Sequence, residues 1–435
     1  GCRTDQDRRD QGRGLMSTVV PRSLGVTQRT LAFVATPAVI VFVSSNVVNF
    51  GNLGFNMIFS RLMGPELFGV LALMLTIKLA FLGVMGAVQT AVSQKIAQAE
   101  QDENTCSEQA LSRINRVLMS GLLTFGILLT AGTLLAGAFG VQLGLENLHL
   151  LLILLAAVPF GASLSLLRGV AFGRMNATRI AMSANVEMAV RLIGAVLAWQ
   201  AGFGLTGVVA AISLSIVAGW IVLTDLLPRM TSDVIPNTGK VARTLAVSAL
   251  PFGLLQSAQV LALDGDIFLA QAVLPAHEAG QIAALSLFQR VQFFACFALA
   301  SILLPGVVIA ARNQTGLRSS AFPVAFLFFA VSAFLIATAA IAPKLLVTLL
   351  VGPSYSDAAI NLLPAVGAAV LFTFSYLTAT FLAALNDRTG IAIVFCAALA
   401  QLAFMAASGA DTMSELVWIK LGTQLVTAEI VLIDP

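Results

Sequence analysis

The stretch Arg61-Leu-Met-Gly-Pro-Glu-Leu-Phe-Gly69 joins two apolar runs, near 31 to 60 and 67 to 94, and each run is long enough to cross a bilayer. An apolar helix needs about 20 residues to span roughly 30 Å of hydrocarbon, and breaks recur along this chain at about that interval. Further runs fall near 117 to 142, 148 to 172, 180 to 201 and 204 to 227, then near 244 to 273, 280 to 311, 321 to 349, 359 to 385, 389 to 409 and 413 to 433. With 58% hydrophobic and only 10% charged residues among 435, the chain has too little polar surface for a soluble protein of its size. The predicted class is an all-α, polytopic membrane protein of twelve crossings. The last crossing is the weakest, because Glu415, Lys420 and Glu429 fall inside it.

Orientation follows from the cations, since Lys and Arg that flank short loops are held on the cytoplasmic side. With the N-terminus inside, eighteen cations, Lys95, Arg113, Arg168, Arg229 and Arg243 among them, collect on inside segments, and only Arg61 and Lys344 fall outside. Both termini are therefore predicted to be cytoplasmic. Residues 1 to 28 are Arg-rich and lack the apolar core of a secretory signal, so they read as a disordered basic arm with affinity for anionic lipid.

The sequence also narrows the chemistry. Cys2, Cys106, Cys296 and Cys396 are scattered, and the histidines are His149 and His277, so no structural metal, disulfide framework or other cofactor is expected. No phosphate-binding Gly-x-x-x-x-Gly-Lys-[Ser/Thr] loop occurs, so nothing marks an ATPase. Neither an enzyme nor a nucleic-acid partner is indicated.

An offset of 211 residues lays Leu62-Met-Gly-Pro-Glu-Leu-Phe-Gly69 over Val273-Leu-Pro-Ala-His-Glu-Ala-Gly280. Each segment is the short outside link between the first two helices of a half. A repeat with an even number of crossings returns to the same side, so the halves should be related by an axis along the membrane normal. That predicts two six-helix lobes, 29 to 227 and 244 to 435, joined by a linker at 228 to 243 in which Pro228, Pro236, Asn237 and Gly239 oppose a helix.

Several segments carry a family likeness. Arg61 to Gly69, Leu167-Arg-Gly169 with Gly173-Arg174, Glu187 with Arg191-Leu192, Asp266 to Gly280, and Val351-Gly-Pro-Ser-Tyr-Ser-Asp-Ala-Ala359 with Leu362-Leu-Pro364 occur in order. Together they resemble the polysaccharide biosynthesis flippases of the multidrug/oligosaccharidyl-lipid/polysaccharide (MOP) exporter superfamily, over nearly all of Leu31 to about Gly409. The resemblance implies a MATE-like fold whose first, second, seventh and eighth helices line a central cavity. It implies translocation of an undecaprenyl-diphosphate-linked oligosaccharide across a bacterial plasma membrane. Partners would then be that lipid-linked oligosaccharide, membrane lipid, and a glycan polymerase or glycosyltransferases.

Charges at mid-bilayer are the clearest marks of function, because each Lys, Arg or Asp costs about 2.5 to 3.5 kcal/mol at a helix centre on insertion scales. Lys78 and Arg290 stand nine and ten residues beyond the repeat-matched Gly69 and Gly280, at nearly equal depth in opposite halves. A diphosphate passing between the halves would meet both; the plainer alternative pairs either cation with Asp264 or Asp266. Those two carboxylates flank Gly265, which invites a local loosening of the helix, and they are candidates for coupling to protons or sodium. Glu187 and Arg191, four residues apart with the acid first, suit an intrahelical structural ion pair. Asn46, Asn49, Asn52 and Asn56 share one face of the first helix, and Gln256, Gln259 and Gln289 add amides from the seventh and eighth. Amides match sugar hydroxyls, although buried amides also serve interhelical packing.

Four functions remain in competition. A lipid-linked oligosaccharide flippase working by alternating access accounts for deep cations and amides. A MATE-type antiporter of drugs or organic cations would want an acid-rich, cation-poor cavity. A lipid II flippase would resemble a chain with two further helices and more arginine. A purely structural membrane subunit would not need buried charges in both halves.

Overall fold

The computed structural model describes residues 37–101, 106–138, 147–226, 238–312, 317–384 and 387–433. The basic arm and residues 228–237 of the predicted linker lie outside them. Among the described residues every regular element is helical.

Helix α1 (Pro37–Gln101) is 65 residues long. At 1.5 Å per residue a straight rod of that length would run to about 100 Å, some three times the hydrocarbon thickness. It turns at Gly64, where φ is 70° and ψ 175°. Glycine adopts that backbone freely and residues with a Cβ do not. Pro65 then opens the second limb, where a missing N–H costs no hydrogen bond. Two limbs, 37–63 and 65–101, thus make the two crossings read from the sequence.

The remaining first-half helices are α2 (Cys106–Ala138), α3 (Leu148–Ala156), α4 (Val158–Gly173), α5 (Ala177–Gln200) and α6 (Gly204–Ile221). The second half holds α7 (Thr238–Val273), α8 (Ala276–Arg312), α9 (Leu317–Ile341), α10 (Pro343–Leu350), a 3-10 segment (Pro353–Asn361), α11 (Leu362–Ala384), α12 (Thr389–Ala407) and α13 (Met413–Ile433). Because α7 begins at Thr238, the last residues of the predicted linker are helical. By length and composition, eight of the described helical stretches suffice to cross a membrane, or nine with α9 and α10 counted together. The two long helices outside that count, α8 and α13, bury the polar side chains Gln281, Gln289, Gln292, Lys420 and Gln424. The chain is a multi-pass membrane protein.

Two departures from the sequence reading are local. The run at 321 to 349 is not one rod: α9 and α10 meet at a 102° bend, where Pro343 starts a new helix. And α7 runs unbroken through Gly265. That glycine admits a neighbour instead of loosening the helix, since a Cβ there would lie 2.4 Å from Leu402 Cδ2 on α12.

In the first half α1 packs on α4 and α5, and α5 on α6; in the second, α11 packs on α8, α12 and α13, and α7 on α12. The two sets meet chiefly where α1 lies against α7 and α8. At the Gly64 end this seam is tightly shut. Phe55, Phe59, Phe68, Ile267, Ile282 and Tyr355 belong to one buried apolar cluster drawn from both halves. Tyr355 donates to Ser60 O at 3.0 Å, Ser60 donates to Val351 O at 3.1 Å, and Arg61 reaches Leu349 O. The two repeat-matched glycines meet here: a Cβ on Gly69 would stand 3.2 Å from Gly280 Cα, and one on Gly280 only 2.0 Å from Pro65 O. Backbones approach this closely only where no side chain intervenes.

Candidate functional site

Behind that seal, a cavity of about 630 Å³ opens between the limbs of α1 and helices α4, α5 and α8. Its walls bring many of the polar residues singled out above into one space. Asn46, Asn49, Asn52 and Asn56 descend the first limb into it, as their shared face requires. Lys78 enters from the second limb, Arg290 from α8, and Glu187 and Arg191 from α5. Lys78 and Arg290, from opposite halves, therefore line the same chamber.

The ionic connections differ from the simplest reading. Glu187 does not close on Arg191 four residues away. Its Oε1 accepts from Lys78 Nζ at 3.1 Å and its Oε2 from Arg168 Nη2 at 2.9 Å. Lys78 and Glu187 are almost wholly buried. Arg168 is also fixed by Ser183 Oγ, which accepts from its Nε at 3.2 Å and its Nη2 at 3.1 Å. Arg191 instead donates to Asn52 Oδ1 and to Met188 S, with Phe55's ring centroid 6.0 Å from its Cζ. The proposed intrahelical pair is replaced by a three-helix cluster, because a gain of about 0.2 to 0.5 kcal/mol from an i, i+4 pair is small beside that of a buried, charge-assisted partner.

Across the cavity, Arg290 Nε donates to Asp264 Oδ1 at 2.8 Å, and its Nη2 donates to Thr76 Oγ1 at 3.1 Å. One arginine of the second half thus bonds to the second limb of α1. The neighbouring carboxylate goes elsewhere. Asp266 Oδ2 accepts from Lys420 Nζ at 2.8 Å, and the same ammonium donates to Leu263 O at 2.7 Å and Gln289 Oε1 at 2.6 Å. Lys420 and Asp266 are 1% and 2% exposed, so this is a dry knot among α7, α8 and α13 that accounts for Lys420 in the weakest predicted crossing, where Glu415 and Glu429 are exposed.

Several predicted residues stand apart from the cavity wall. Gln289 is committed to Lys420, and Asp264 touches the site only through Arg290. Gln256 and Gln259 lie on α7, which contributes no residue to the lining; Gln256 Cβ would be 3.7 Å from a Cβ placed on Gly83, at the α1–α7 seam. The lining helices are thus both limbs of α1 with α4, α5 and α8, in place of the first, second, seventh and eighth. Arg168 is the residue that sequence reading misses. Its place near a predicted helix end groups it with the loop cations, although the Leu167-Arg-Gly169 segment, on α4, carries a signal.

Taken together, Lys78, Arg168, Arg191 and Arg290 face the cavity against one lining carboxylate, Glu187, with Asp264 behind Arg290. The chamber has an excess of positive charge. Phe42 and Phe50 line it while being exposed themselves, so it reaches the molecular surface along an apolar edge.

The sequence profile of the family described as "Polysaccharide biosynthesis protein" matches residues 36–305. No curated protein matches the chain. Similar solved structures include an inward-facing multidrug resistance MATE family transporter of the MOP superfamily, 16% identical over 89% of this chain and 93% of that one, with a TM-score of 0.71. An outward-facing MATE family transporter is 15% identical over 92% and 94% of the two chains, with a TM-score of 0.63. A MOP superfamily transporter from Pyrococcus furiosus, described as having a binding pocket of reverse polarity that suggests a different function, is 17% identical over 92% and 94%, also with a TM-score of 0.63. With the family profile spanning well over half of its length and this fold around a cationic chamber, the chain belongs to the polysaccharide biosynthesis protein family, built on the transporter fold of the MOP superfamily.

Proposed function

We propose that this protein is a flippase that moves an undecaprenyl-diphosphate-linked oligosaccharide from the inner to the outer leaflet of a bacterial plasma membrane. The observation that carries the reading is the cationic excess of the cavity: Lys78, Arg168, Arg191 and Arg290 against Glu187 on its walls. An organic cation would be repelled there, whereas a diphosphate would be held by charge-assisted hydrogen bonds in a low-dielectric space. Asn46, Asn49, Asn52 and Asn56 offer donors and acceptors to sugar hydroxyls. The exposed Phe42 and Phe50 mark an apolar edge along which the prenyl chain stays in lipid. A binding pocket of reverse polarity has a precedent within this fold, in the Pyrococcus furiosus transporter.

Movement follows from the two halves. The seam at Gly64 is shut while the chamber is open elsewhere, and related folds have been solved facing inward and facing outward. Rocking of lobes 29–227 and 244–435 about the α1–α7 and α1–α8 contacts would expose the chamber to one side and then the other, with both termini on the cytoplasmic face. The test is a reconstituted flipping assay with a defined undecaprenyl-diphosphate glycan. Lys78→Ala and Arg290→Ala should each slow translocation about tenfold or more, since a buried charged contact is worth about 1.5 to 3 kcal/mol. Equal rates in the parent and both variants would remove the cationic site from the mechanism.

A further inference from the structure

The cations of the cavity are not equivalent. Lys78 and Arg168 each hold one oxygen of Glu187, and Arg290 holds Asp264. Arg191 alone of the four has no carboxylate within ion-pair distance among the described residues. It is 8% exposed, lines the cavity, and keeps a buried Nε with no hydrogen-bond partner. Its Nη2 is occupied by the weak sulfur acceptor of Met188 and by Asn52 Oδ1, both neutral. Glu187, one turn back on α5, acts on it only at longer range; burying a guanidinium whose direct partners are neutral, with a donor unmet, is costly unless an anion completes the site.

We propose that Arg191 is the residue that first captures the phosphate of the cargo, and that Glu187 is a resident counter-anion which holds Lys78 and Arg168 in place until the cargo exchanges for it. The proposal rests on the flippase reading above and assigns its steps. Arg191 presents a planar fork suited to two phosphate oxygens and has nothing anionic to give up. Lys78 and Arg168 must first release a carboxylate. Arg290 must release Asp264 and Thr76, and Thr76 lies in the opposite half, so its contribution belongs to movement after capture. The side of the chamber that carries Asn52 and Asn56 is then where the diphosphate is held once it has entered, with the amides of the first limb close by. Asn56 Oδ1, also buried without a partner, is an acceptor left for a sugar hydroxyl.

The experiment uses the full chain in nanodiscs, titrated calorimetrically with inorganic pyrophosphate and, in parallel, with tetraphenylphosphonium. The expected result is that Arg191→Ala weakens pyrophosphate binding by about tenfold or more, that Lys78→Ala weakens it by no more than about threefold, and that Glu187→Gln strengthens it. If Arg191→Ala fails to fold, Arg191→Lys keeps the charge, loses the fork, and should still bind several-fold more weakly. Unchanged affinity in Arg191→Ala or Arg191→Lys, or an equal loss in Lys78→Ala, would overturn the assignment while leaving the flippase reading in place. A parent protein that binds tetraphenylphosphonium but not pyrophosphate would overturn the flippase reading itself.

Discussion

Single residues here show how tertiary partners outrank local rules. Glu187 and Arg191 have the spacing and order of a helical ion pair, yet the acid turns to Lys78 and Arg168 on other helices. Lys420 shows the same principle in a drier place. Its ammonium is satisfied by Asp266, Leu263 O and Gln289, and removing either ion would strand the other in a site of 1 to 2% exposure. Lys420→Met and Asp266→Asn should therefore each destabilise the protein by about 3 to 5 kcal/mol, while the double replacement costs less than the sum. Thermal unfolding in detergent checks this: simple additivity of the two losses would contradict a coupled pair. The asparagine face, Lys78 and Arg290 were legible before any coordinates, because helical spacing and depth from a repeat-matched glycine are one-dimensional quantities. Which acid each cation meets was not, since that depends on how α4, α5 and α13 rotate about their axes. Arg168, at a predicted helix end, was marked in the sequence only by the Leu167-Arg-Gly169 segment, and its turn toward Glu187 depends on those rotations.

At the scale of elements, glycine carries much of the information, and its meaning depends on what lies opposite. Gly64 was readable as part of a break, since Gly-Pro rarely continues a helix. Gly265 invited a reading of flexibility and instead receives Leu402. Gly69 and Gly280 were matched as repeat positions, but their mutual contact emerges only from the packed halves. At Gly280 an added Cβ would meet Pro65 O at 2.0 Å, whereas at Gly69 the closest clash is the movable amide of Gln271 at 2.4 Å. The contact exists with the Gly64 end shut. Gly280→Ala should consequently favour opening there, and more strongly than Gly69→Ala. Leu274, 8% exposed in the apolar cluster at that end, supplies the probe. A cysteine at position 274 should react with a membrane-impermeant thiol reagent several-fold faster when Gly280→Ala is present, and an unchanged rate would show that the seam does not govern opening. The bend between α9 and α10 was missed for a simpler reason: the apolar run continues through Pro343, and hydropathy records length but not direction.

Across the whole molecule, helices from both halves of the chain line one chamber. The first half supplies the asparagines, Lys78, Arg168, Glu187 and Arg191; the second supplies Arg290 and closes the wall with Leu287, Val291 and Phe294. One end is sealed by apolar side chains and close backbone contacts, and the interior is kept polar by ions that partly neutralise one another. Class and approximate crossings were open to view in the sequence because the bilayer imposes a length on each apolar run. The sign of the chamber was legible in part, from deep cations that at least matched the deep acids; which of those charges turn inward was not, because it depends on helix rotation. That sign is the basis for assigning an anionic cargo. The most direct measurement is a cryo-electron microscopy structure of the chain in nanodiscs with an undecaprenyl-diphosphate glycan. Diphosphate density between α1, α5 and α8, within contact of Arg191 and facing Lys78 and Arg290, is the predicted result; a head group bound outside this chamber, with the cations still closed on Glu187 and Asp264, would contradict it.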